Sequence, residues 1–83
     1  MKYKILYFII EKMQYKKFGN YIRRKRRKLN IALNTFALDS GIDKASLSNF
    51  ERNKSDIYFE NFTKIAKGFN LTPAQLLTEF ENQ

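Results

Sequence analysis

The chain has 83 residues, 16 Lys plus Arg against 8 Asp plus Glu, a net charge of +8, and neither Cys nor His. This length allows one small domain and excludes a second, and the missing Cys and His remove disulfides, thiolate or imidazole metal ligands and the usual general base, so no enzyme, metal site or cofactor is expected. The charge is uneven: residues 1–28 hold 11 basic side chains and one acidic, residues 29–83 hold 5 basic and 7 acidic, a balance suited to a polyanionic partner, either nucleic acid or an anionic membrane.

The run Ile5-Leu6-Tyr7-Phe8-Ile9-Ile10 is apolar but far short of the roughly 20 residues a spanning helix needs. The next residues, Glu11 to Gln14, do not make a signal-peptide cleavage site, so a cytoplasmic location is expected. Residues 1–17 are read as an N-terminal extension that covers the core or binds a partner protein, since six exposed apolar residues in a row invite aggregation. A start at Met13 is the alternative. Residues 18–83 are read as the domain.

Five helices are expected in that domain. Phe18, Ile22 and Leu29 share a helical stripe, with Lys25 where a fourth apolar residue would sit, and Asn30 is the stop. Leu33, Phe36 and Ala37 mark a short second helix ending at Ser40-Gly41, where glycine takes the left-handed conformation of a tight turn. Ile42 plugs that turn, Asp43 caps a third helix, and Leu47 with Phe50 gives its inner face to about Arg52. Phe59, Phe62, Ile65, Ala66 and Phe69 recur at three and four, with Gly68 near the helix end and Asn70 as the stop. Thr72, Pro73 and Gln75 form a capping box for a fifth helix whose apolar face is Leu76, Leu77 and Phe80. The fold class is therefore all-α, with the helix faces buried against one another.

The stretch from Phe36 to Lys54, with Phe36, Ala37, Gly41, Ile42, Asp43, Ser48, Phe50, Glu51, Arg52 and Lys54 at the characteristic positions, resembles the Cro/repressor (XRE-type) helix-turn-helix family. The likeness runs from about Phe18 to Phe80. It implies a lambda-repressor-like five-helix domain that binds double-stranded DNA, with the third helix in the major groove. Carried over position by position, Lys44, Ala45 and Asn49 face the bases: Lys44 toward guanine, Ala45 toward a thymine methyl, Asn49 toward adenine or the backbone. Arg26, Arg27, Lys28, Ser46, Ser48, Asn53 and Lys54 are the expected backbone contacts, with Arg26 also paired to Glu51. Leu77 and Phe80 are the expected dimer contacts of a homodimer that presents two recognition helices about 34 Å apart.

Three departures stand out. Ala32 and Leu33 replace a polar cap and a Gln that braces the DNA backbone, Tyr58 replaces a Ser or Thr cap on the fourth helix, and Asn53 replaces a frequent Gly. The leading expectation is a repressor of a mobile element, prophage or restriction system. Two alternatives compete: an antitoxin-like module that binds a protein through residues 1–17 and also touches DNA, and a basic membrane-surface protein. The last needs a free apolar stripe, and Phe18 and Ile22 are required for the core.

Overall fold

A computed structural model describes residues 15–83, with side chains from residue 18 onward; the Ile5 to Ile10 run, and with it the expected role of the extension, lies outside the described residues. The helices are α1 (Tyr15–Lys28), α2 (Leu33–Ser40), α3 (Lys44–Glu51), α4 (Phe59–Gly68) and α5 (Pro73–Glu81). None is long and apolar enough to cross a membrane.

All four connections carry a left-handed residue at their first or second position. Asn30 (φ 58°), Gly41 (φ 73°), Asn53 (φ 60°) and Asn70 (φ 59°) end α1 to α4 in turn. Each turn closes with the same pair of backbone bonds, which satisfies carbonyls the helix end would otherwise orphan. At the first, Asn30 N–H donates to Arg27 O (2.9 Å) and Ile31 N–H to Arg26 O (3.0 Å); at the second, Gly41 donates to Leu38 (3.2 Å) and Ile42 to Ala37 (3.0 Å). Asn53 and Lys54 repeat the pattern toward Phe50 (3.1 Å) and Asn49 (2.8 Å), and Asn70 and Leu71 toward Lys67 (2.9 Å) and Ala66 (2.8 Å). The residue after the reversal is apolar and packed inward at three turns, Ile31, Ile42 and Leu71. At the fourth, which leaves α3, it is the exposed Lys54.

The core forms where the inner faces meet, and Ile22, Phe36, Leu47, Phe62, Ile65 and Leu76 are fully buried. Phe18 joins α1 to α4 and α5, its ring centroid 5.2 Å from both Phe62 and Phe80. The capping box of α5 is complete: Gln75 N–H donates to Thr72 Oγ1 (3.1 Å) and Thr72 N–H to Gln75 Oε1 (2.8 Å). Ala32 and Tyr58, at the caps of α2 and α4, supply no side-chain cap bond.

Leu29 departs from the expected stripe. It is 52% exposed, because α1 stops at Lys28 and the reversal at Asn30 carries the chain off the helical period, leaving Ile31 to pack against the core. The position after Ile22 on the buried side is filled by Arg26. Lys25 is half-buried, with its ammonium 5.2 Å from the Phe69 ring centroid and 2.7 Å from Glu79 Oε1, so its stem covers apolar surface while its head keeps a partner.

Candidate nucleic-acid interface

The helix α3 is held at both ends. Asp43 Oδ2 accepts from Ser46 N–H (3.2 Å) and fixes its start, while Leu47 and Phe50 seat its inner face in the core. Lys44 and Ala45 are exposed at the leading end; Ser46, Ser48 and Asn49 are half-buried on its flanks. The three residues expected to face bases thus share the accessible side of one braced helix.

The far end of α3 is held by α1. Arg26 Nε donates to Glu51 Oε2 (2.7 Å) and Nη2 to Glu51 Oε1 (2.9 Å), a bidentate pair, while Nη1 donates to Ile31 O (2.7 Å) in the α1–α2 turn. The two side chains are only 9% and 4% exposed. The hydrogen bond to Glu51 favours the charged guanidinium and holds its pKa above the usual arginine value, against the opposing effect of burial. The expected pair is present, and it ties α1, α3 and the intervening turn together. It also leaves little of Arg26 open to a phosphate.

Asn53 is placed differently from expectation. Its side chain turns toward α1, where Nδ2 donates to Asn20 Oδ1 (3.3 Å) and Oδ1 is buried without a hydrogen-bond partner. Its amide is therefore turned toward α1, with the oxygen buried and the nitrogen bonded at the surface. Lys54, one residue on, is exposed, as are Arg27 and Lys28 at the end of α1. Leu77 and Phe80, expected at a dimer contact, are 6% and 9% exposed and packed in the domain core, so their apolar surface is already consumed by Phe18 and its neighbours.

Arg52 was not among the expected contacts. It follows Ala45 at i+7 and Asn49 at i+3, and these spacings put it on the same accessible stripe. That spacing was the available signal.

The comparisons agree with this architecture. A model described as a helix-turn-helix domain matches residues 19–79. The chain is 26% identical over 68 residues to the control protein C.MunI of a Mycoplasma species, an alignment covering 81% of this chain and 92% of that one. Among solved structures, the restriction-modification controller protein C.AhdI from Aeromonas hydrophila superposes with a TM-score of 0.68 at 27% identity, covering 75% of this chain and 94% of that one. Match, helices and braced third helix agree: the chain belongs to the XRE-type helix-turn-helix family of DNA-binding transcription regulators.

Proposed function

We propose that this protein is a sequence-specific double-stranded DNA-binding regulator that acts as a homodimeric repressor, reading the major groove with α3. Lys44, Ala45 and Asn49 meet base edges. Arg27, Lys28, Lys54 and the hydroxyls of Ser46 and Ser48 meet the backbone, and Arg26 acts by holding α3 in place. The observation that carries this reading is the exposed leading end of α3, fixed by the Asp43 cap and by Leu47 at one end and by the Arg26–Glu51 pair at the other. A rigid helix presenting short polar and cationic groups is what groove reading requires. The relatives named as controller proteins suggest control of a restriction-modification operon as the setting, and the cytoplasm as the place.

Footprinting on the DNA upstream of the protein's own gene, with a solution mass measurement, tests both parts. A protected site with dyad symmetry and a dimer mass are expected. Lys44→Ala and Asn49→Ala should each weaken the specific complex by about 1–3 kcal/mol and relax base preference. If Asn49→Ala loses equally on specific and random duplexes, its base-reading role is wrong.

A further inference from the structure

Arg52 caps the C-terminal end of α3 and is exposed. Its neighbouring carboxylate, Glu51, is spent on Arg26, and Arg52 makes no ion pair among the described residues. Its one side-chain bond is from Nη2 to Asn49 Oδ1, across 3.4 Å.

A guanidinium only donates, so the amide oxygen of Asn49 faces Arg52 and the amide nitrogen faces away. Asparagine needs both atoms to recognise adenine, with Oδ1 accepting from N6 and Nδ2 donating to N7. With one lone pair of Oδ1 taken by a cation and the oxygen turned toward Arg52, Asn49 is left presenting its amide hydrogens on the opposite side. Lys44, at the leading end of the same helix, is also only a donor. Guanine presents two acceptors in the major groove, O6 and N7, whereas the N6 amino group of adenine would meet another donor. The bond is long and solvent-exposed in the free protein, so its energy there is small; it strengthens where a groove excludes water from it.

We propose that Arg52 is a specificity-determining residue of the DNA face: by engaging Asn49 Oδ1 it orients the Asn49 amide so that the pair presents donors first and selects guanine over adenine. This rests on the base-reading role of α3 argued above.

Selection of bound sites from randomised duplexes, run on the full chain, tests it. Asn49→Ala identifies the base pair concerned by relaxing it. The unaltered protein is expected to select guanine there. Arg52→Ala frees the amide oxygen and should cut the guanine-to-adenine preference by roughly tenfold, other positions unchanged, while Arg52→Lys keeps a donor and retains guanine. Adenine selected by the unaltered protein overturns the inference. So does an Arg52→Ala variant that weakens every duplex alike, which marks a phosphate contact. Both outcomes leave base reading by α3 intact, whereas an unaltered protein that selects no sequence refutes that reading and the inference with it.

Discussion

Gly19 in α1 lies against the carbonyl of Phe50 in α3, so close that a Cβ at residue 19 would overlap both the Phe50 oxygen and Asn53 Oδ1. A glycine inside a helix ordinarily costs about 1 kcal/mol relative to alanine. Here the missing Cβ lets α1 approach the end of α3, and a backbone carbonyl cannot swing aside as a side chain can. Gly19→Ala should therefore destabilise the domain, by about 1–3 kcal/mol, and shift the end of α3. A denaturation midpoint at or above that of the parent would show that the contact relaxes freely.

Removing one member of the Arg26–Glu51 pair strands the other. Glu51→Ala should cost about 3 kcal/mol, a large share of the stability of so small a domain, because it leaves a guanidinium with little solvent and no carboxylate. Replacing both, as Arg26→Met with Glu51→Leu, should recover most of the loss. Urea denaturation of the three proteins decides it: a double variant no better than Glu51→Ala would mean that the bond from Arg26 to Ile31 O carries the stability.

The left-handed asparagines give a backbone test free of packing, since Asn30 and Asn70 are exposed. Asn30→Ala and Asn70→Ala should each lose about 1–2 kcal/mol, while the corresponding glycine variants stay close to the parent. Equal melting temperatures for the alanine and glycine variants would contradict the assignment.

Tyr21 and Glu79 link α1 to α5 in a way that pH can probe. Tyr21 Oη donates to Glu79 Oε1 (3.0 Å), and burial, reinforced by that acceptor, pushes the phenol up to about 12. The hydrogen bond from Lys25, then that from Tyr21, holds the Glu79 carboxyl below its ordinary value. A phenol raised in the folded state contributes stability that is complete below its unfolded pKa of about 10 and disappears as pH rises toward the folded value. A lowered carboxyl contributes stability above its unfolded pKa and loses it as pH falls through the folded one. Melting temperature should thus decline at both extremes, and Tyr21→Phe should remove the alkaline contribution of this bond; an unchanged alkaline slope would locate that loss elsewhere.

Lys54 should act on charge alone. Lys54→Ala is expected to weaken specific and random duplexes equally and to reduce the slope of log affinity against log salt by about 0.9, one phosphate's worth. A loss confined to the specific site would make Lys54 a base reader instead.

Local chemistry made much of the fold legible. Asp43, Thr72 and Gln75 announce helix starts, and Asn30, Gly41 and Asn70 announce helix stops, because each acts on backbone within a few residues. The failures share a different cause. Leu29 followed a period that the stop at Asn30 had already ended, and Leu77 and Phe80 displayed apolar surface without saying which surface would cover it. The bond from Asn53 to Asn20 was not legible either, because Asn20 lies on another helix far back in the chain. Arg52 is legible by its spacing from Ala45 and Asn49 alone, since its contact with Asn49 is local to one helix end.

The four reversals also bear on how association with DNA should proceed. With helices joined by such short, hydrogen-bonded corners, α3 has no folding left to do, so docking should resemble two stiff bodies meeting, with a heat-capacity change set by buried contact area alone. The longest link, residues 52–58, is where any slack would gather, just beyond the end of α3.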